Sequence, residues 1–334
     1  MSTADFAAFS NNAVMFASIV YVLAFVAHVA EWAIGRSVRV SEPAAVMAGG
    51  APEEPSTAGK PAADAEERVD RWGRLGLALT AVAVLLHFAA LVTRGLGADP
   101  VRVPWGNMYE FTLAGSFGVG LMYLLLGRRY DLRWMGLPVT AFEVVVLMLA
   151  GLLLYVPAGP LVPALHSYWL VIHVAAAVIA SGAFAVGAIA AILYLVKDRA
   201  LRRGSLRAGG YLDRLPDLAG LDRLSYRLHA FGFPIWTFAA LVAGPIWAEY
   251  AWGRYWNWDP KEVWAFITWV VYAAYLHARA TVGWKGRNAA YVALVGLATL
   301  WFNFIGINYF FGGSSQHSYA APSVVQSERS TYDL

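Results

Sequence analysis

The segment from Asn288 to Ser327 contains no Asp, Glu, Lys or Arg, and neither does Leu228 to Ala248. Crossing the hydrocarbon core of a bilayer takes about 20 apolar residues, and buried helices of soluble domains are usually shorter. Composition agrees: 59 % of the 334 residues are hydrophobic and 14 % charged, against roughly a quarter charged in a soluble domain. Backbone N–H and C=O groups in lipid need internal partners, so a spanning chain is helical or a closed barrel. Long continuous apolar windows select helices. The predicted fold class is all-α, a polytopic transmembrane helical bundle forming one membrane domain over 1–334.

Eight windows qualify as spans, near Ala13 to Ile34, Gly76 to Val92, Met108 to Leu126, Trp134 to Val156, Ser167 to Val196, Ala230 to Ala248, Val263 to Ala278 and Asn288 to Phe311. The first lacks a basic segment before it, so it is expected to be a retained helix. Twenty of the 25 basic residues lie between alternate spans: in 35–74, in the turn Arg128 to Arg133, in 197–228 and between Arg279 and Arg287. Basic loops stay on the cytoplasmic side. That rule puts both termini outside, together with Arg94, Arg102, Arg254, Lys261 and Arg329. The net charge of +3 belongs to this asymmetry and gives no reason to expect nucleic acid. Within 35–74, the Ala, Pro, Gly and Glu-rich stretch 41–65 buries too little to fold and is expected to be a flexible tether. No cysteine is present, which excludes disulfides, thiolate metal sites, a thiol nucleophile and covalent C-x-x-C-H attachment of haem to this chain.

Six of the 14 Trp fall between Trp247 and Trp269. The outer segment 249–262, centred on Trp252, Trp256 and Trp258, is denser than interfacial anchoring requires. Its polar residues interleave with rings, an arrangement suited to a large flat apolar ligand such as a porphyrin. Pro260 suits the first turn of a helix, and Asp259 is either its cap or part of the site. Arg254 and Lys261 face either ligand carboxylates or phospholipid heads.

Depth sorts the histidines. His173, two turns into the fifth span, and His317, in the outer tail 312–334, can both approach the Trp segment and supply two axial ligands to one iron. The bland alternative for both is hydrogen bonding at the interface. His166 is the substitute for His173. His277, fifteen residues beyond Glu262, stands about 22 Å deeper. His28 and His87 lie in the first and second spans and fit either an inner ligand layer or helix packing, and His229 has no assigned role. Among the acids of the spans, Glu31 is noted without a role, Glu110 is expected to orient a ligand or meet solvent, and Glu143 needs a partner or a proton.

The run Trp252-Gly-x-Tyr255-Trp256-x-Trp258-Asp259-Pro-Lys-Glu262-x-Trp264, with Tyr275-Leu-His277-Ala-Arg279, Gly306-x-Asn308-Tyr309 and His317-Ser-Tyr319, resembles the CcsA/ResC-type, Trp-rich cytochrome c biogenesis proteins. Leu86-His87, Asn107-Met-Tyr109-Glu110 and Trp169-x-x-x-His173-Val fit the same pattern. The resemblance implies a multi-pass protein of the bacterial cytoplasmic membrane that works with a ResB/CcsB-type partner. The pair would bring haem b across the membrane and join it to apocytochrome c outside, as part of a cytochrome c synthase complex that leaves room for a thiol-reducing thioredoxin-like protein. Carried onto this sequence, the Trp-rich segment holds haem between His173 and His317. His277 serves haem entry, and His87 is an inner counterpart. From the residues alone a haem or quinone-binding transporter subunit without attachment activity, or a scaffold whose Trp segment docks a partner, stays open.

Overall fold

The computed structural model describes residues 1–47, 59–159, 167–281 and 283–311, with side chains described outside 36–63. Among these residues the chain is all helical, with eight long helices. They are α1 (Thr3–Met47), α2 (Gly59–Leu96), α3 (Met108–Gly127), α4 (Arg133–Leu154), α5 (Tyr168–Arg202), α6 (Leu218–Trp252), α7 (Pro260–Thr281) and α8 (Arg287–Phe310). Each contains most or all of one of the eight predicted windows, and α1, α2 and α6 extend more than ten residues beyond a predicted end. Seven are long and apolar enough to cross a membrane; α7 is long enough, but Lys261, Glu262, His277 and Arg279 lower its apolarity. The chain is an all-α multi-pass membrane protein. Helical backbone also enters both ends of the 41–65 stretch, to Met47 and from Gly59. Residues 48–58 and the tail from 312 lie outside the described residues.

Local sequence sets several ends. Asn107 caps α3 by accepting from the Glu110 amide at 2.9 Å, Ser167 caps α5 through the Trp169 amide, and Asp217 caps α6 through the Gly220 amide. Each satisfies an N–H that the first turn leaves unpaired.

The central helix is α5, packed by α3, α6 and α8, and 61 % of its most apolar window is buried. Its small residues explain this, because in lipid helix association depends on close van der Waals contact. At the crossing with α3, a Cβ on Gly182 would stand 2.7 Å from the Gly118 carbonyl oxygen. At the crossing with α6, Gly187 meets the His229 ring and Gly232 meets Phe184. His229 is fully buried there, donating from Nδ1 to the Ser225 carbonyl at 2.7 Å, with its ring against Phe184, Tyr272 and Tyr275. It is a packing histidine. The helix α7 runs antiparallel to α6 and α8: Trp264 near its start touches Phe302 of α8, and Arg279 near its end pairs with Asp222 of α6 at 2.6 Å.

Ion pairs close both ends of the α1 to α4 half. At the basic end Arg133 pairs with Glu31 at 3.3 Å and Asp70 at 2.9 Å, and buried His28 lies 3.4 Å from Glu31. At the other end Glu110 neither meets solvent nor points into the cavity described below. It is 0 % exposed and held by Arg94 at 3.1 Å and Arg102 at 2.6 Å, with Arg94 also donating to the Val156 carbonyl and Arg102 to that of Gly159. Breaking one partner of such a buried set strands a charge, so the cluster pins the segment after α4.

Candidate functional site

Helix α6 stops where Gly253 adopts φ +70°, a left-handed turn that its missing Cβ permits, with its N–H on the Glu249 carbonyl at 2.8 Å. The next helix begins with a capping box. Asp259 Oδ1 accepts from the Lys261 amide at 2.9 Å, and Glu262 Oε2 reaches back to the Asp259 amide at 3.2 Å. The same Glu262 oxygen accepts from the Asn257 amide at 2.9 Å. One carboxylate thus gathers the backbone on both sides of Trp258, which takes φ +57°, a conformation that a bulky side chain rarely adopts. Trp258 is left 69 % exposed with its ring edge-on to Trp256 at 5.8 Å. Asp259 is therefore a helix cap, buried beneath this loop.

His173 projects from α5 toward a fault in α6. Residues Ala239–Ala243 form a π-helical turn, followed by Pro245, which has no N–H to give. The Ala239 carbonyl accepts the ring nitrogen Nδ1 of His173 at 2.9 Å. A carbonyl only accepts, so Nδ1 carries a proton, which in the neutral ring leaves the lone pair on Nε2. The ring stacks on Trp247 at 5.9 Å and 14°, and Trp247 meets Trp252 edge-on at 4.8 Å. Backbone-anchored, with a fixed tautomer, is how a metal-ligating imidazole is usually presented.

Beside His173 lies a cavity of about 540 Å³, within the range of small-molecule sites, between α3, α4, α5, α6, α7 and α8. All three π-helical turns of the described chain (Ala150–Leu154, Ala239–Ala243 and Phe302–Gly306) contribute lining residues, among them Leu154, Ala240 and Asn303. Such turns widen a helix and often mark functional sites. The walls are apolar and aromatic, including Phe111, Trp236, Trp247, Phe304 and Trp301. Polar groups gather near the Trp segment: Trp256, Tyr255, Lys261, Glu262, Asn303 and Tyr309. The Trp256 Nε1 donor and the Asn303 Oδ1 acceptor are buried with no hydrogen-bond partner among the described residues. Lys261, just before the apolar part of α7, has its ammonium pushed down to about 8 by burial, with the Asp259 carboxylate opposing the shift. The cavity can enclose a large flat apolar molecule and offer an imidazole to a metal and a cation to an acid group.

The family model described as Cytochrome C assembly protein matches residues 105–313, more than half of the chain and all of this cavity's described walls. The chain belongs to this family. It is similar to the protein named cytochrome c biogenesis protein CcsA from Guillardia theta, 38 % identical over 65 % of this chain and 76 % of that one. Similarity extends to proteins of the same name from Gloeobacter violaceus, 35 % identical over 77 % and 89 %, and from Synechococcus elongatus, 34 % identical over 73 % and 87 %.

For this cytochrome c assembly protein the structure joins His173, Trp256, Lys261 and Glu262 at one cavity, with Trp252 behind Trp247. Trp258 and Asp259 stand outside the lining. His277 is exposed on α7, and His87 is fully buried between α2 and α3. His166 and His317 lie outside the described residues. Among the described residues no three His, Asp or Glu side chains cluster as a metal site. Sequence reasoning missed Glu262 as the residue that shapes the Trp loop, although the Asp259-x-x-Glu262 spacing signals a capping box. It also missed the Ala239 carbonyl, for which the only hints are Pro234 and Pro245.

Proposed function

We propose that this chain holds haem in the cavity beside His173 and presents it to apocytochrome c, acting with a ResB/CcsB-type membrane partner. The name its relatives carry supports the process, and the anchored His173 on an aromatic wall, the single observation that carries the reading, supports the ligand. In this reading all eight helices cross the cytoplasmic membrane with both termini outside. Support comes from the charge asymmetry and from α7, whose 22 residues extend about 33 Å alongside two spans.

His173 and His317 would ligate the substrate's iron from opposite sides, apolar surroundings favouring the neutral imidazoles that ligate. Trp247 and Trp256 would lie against the porphyrin, and Lys261 would meet one of its carboxylates. His277, exposed on α7, would receive haem arriving from the bilayer or the partner, with His87 as inner counterpart. Attachment adds each substrate cysteine S–H across a haem vinyl group: sulfur bonds one carbon, the thiol hydrogen goes to the other, and no electrons are gained or lost. This chain supplies no cysteine; it orients the vinyl edge and excludes water, which converts a rare encounter into an arranged one.

Alanine at His173 or at His317, at unchanged protein level, is expected to abolish holocytochrome c in cells lacking the native chain. Normal maturation in either variant would refute the axial pair. Porphyrin bound by the wild type without any thioether product would favour the transporter instead.

A further inference from the structure

Three buried side chains stand outside the cavity lining. Tyr21 of α1, His87 of α2 and Glu143 of α4 are each 0 % exposed. The Tyr21 hydroxyl, both His87 ring nitrogens and both Glu143 oxygens make no hydrogen bond of ordinary geometry among the described residues, with only looser approaches of His87 to the Leu113 backbone and of Glu143 to Ser116 and Gly120. They gather along one face of α3. The His87 ring meets Phe117 edge-on at 5.7 Å and Tyr21 at 6.3 Å. Next along that face, Gly120 lies under the other two: a Cβ there would stand 3.0 Å from the Tyr21 hydroxyl oxygen and 3.3 Å from Glu143 Oε1. Ser116 borders Glu143 from the same face, its own hydroxyl given to the Leu113 carbonyl at 3.3 Å. Ser116 also lines the ligand cavity, as do Phe142 and Val146, the neighbours of Glu143 on α4.

Unsatisfied polar atoms at membrane depth are costly and mark polar pathways more often than packing. Here donors and acceptors are both present and converge without pairing with one another at ordinary hydrogen-bond length. A species that both donates and accepts resolves this, and buried water usually makes about three hydrogen bonds to groups left unsatisfied by the protein. We propose that Tyr21, His87 and Glu143 form an internal water-binding site in the middle of the bundle, reached from the ligand cavity past Ser116. It is distinct from the residues placed against the ligand, and it adds exchangeable protons on the α3 side of the cavity, away from the polar groups that gather near the Trp segment. The proposal does not depend on haem being the ligand.

Hydroxyl-radical footprinting tests it on the purified full chain, because X-ray pulses generate radicals from bound water and label the side chains beside it. Tyr21 should be labelled several-fold faster than Tyr123, which is 1 % exposed in a different cluster. Equal, slow labelling of the two overturns the site, and this comparison is made within the unaltered protein, so no variant has to fold. After brief mixing with ¹⁸O water, the label on Tyr21 should carry ¹⁸O, later in Ser116→Val than in the wild type; equal exchange in both overturns the route from the cavity.

Discussion

Glu262 and Lys261 are neighbours that act in different ways. Glu262 holds the Asn257 and Asp259 amides, so Glu262→Ala should cost about 1 kcal/mol of thermal stability in detergent, the usual loss for a helix cap. It should also lower porphyrin affinity, because the Trp256 loop is no longer gathered. Glu262→Gln, which can still reach back, should keep most of both; equal damage from the two would show that charge, and not the backbone contact, matters. Burial pushes the Lys261 ammonium down to about 8, with the Asp259 carboxylate opposing the shift. In the proposed site an acid-bearing porphyrin would bind the charged form, so affinity should fall as pH rises through 8. The lysine's effect on stability has the opposite sign: its folded value lies below the unfolded one, so its penalty is full below about 8 and fades toward pH 10.5. Equilibrium titration of protoporphyrin IX from pH 6.5 to 9.5 should show this loss in the wild type and not in Lys261→Met, and a flat wild-type profile would remove Lys261 from the site.

At the scale of helices, the cavity depends on α5 lying close to α3 and α6. Gly182→Ala places a Cβ against the Gly118 backbone, which cannot swing aside as a side chain can. Overpacking of this kind costs about 1–3 kcal/mol, read as a lower midpoint of thermal unfolding, whereas Gly115→Ala, which meets nothing within 4 Å, should be neutral. The eight helices were legible because apolar windows of bilayer length have few alternatives, and α7 was found despite its charges because these sit at its ends. The π-helical turns were not legible. They arise where neighbouring helices and prolines compete with the regular ladder, a tertiary effect that leaves no periodic trace, and with them the carbonyl that orients His173 stayed hidden. Glu110 was misread for a related reason: a carboxylate at a helix start resembles a solvent group until Arg94 and Arg102 are seen to converge on it.

For the whole molecule, the proposed topology puts the Trp segment on the outer side and the Arg133 cluster on the inner side. The absence of native cysteine makes this directly measurable. Single cysteines at Arg254 and at Arg128 should differ in intact cells, the first labelled by an impermeant maleimide and the second only after permeabilisation. Reversed labelling would invert the topology and move the cavity's polar end to the cytoplasm. The central claim is that His173 ligates haem in the cavity. Its most direct test is the reduced absorption spectrum of the chain purified with its membrane partner, in the wild type and in His173→Gly with and without added imidazole. The account predicts a low-spin haem band in the wild type, its loss in the variant and its return with imidazole; a variant whose band is unchanged without imidazole would contradict it.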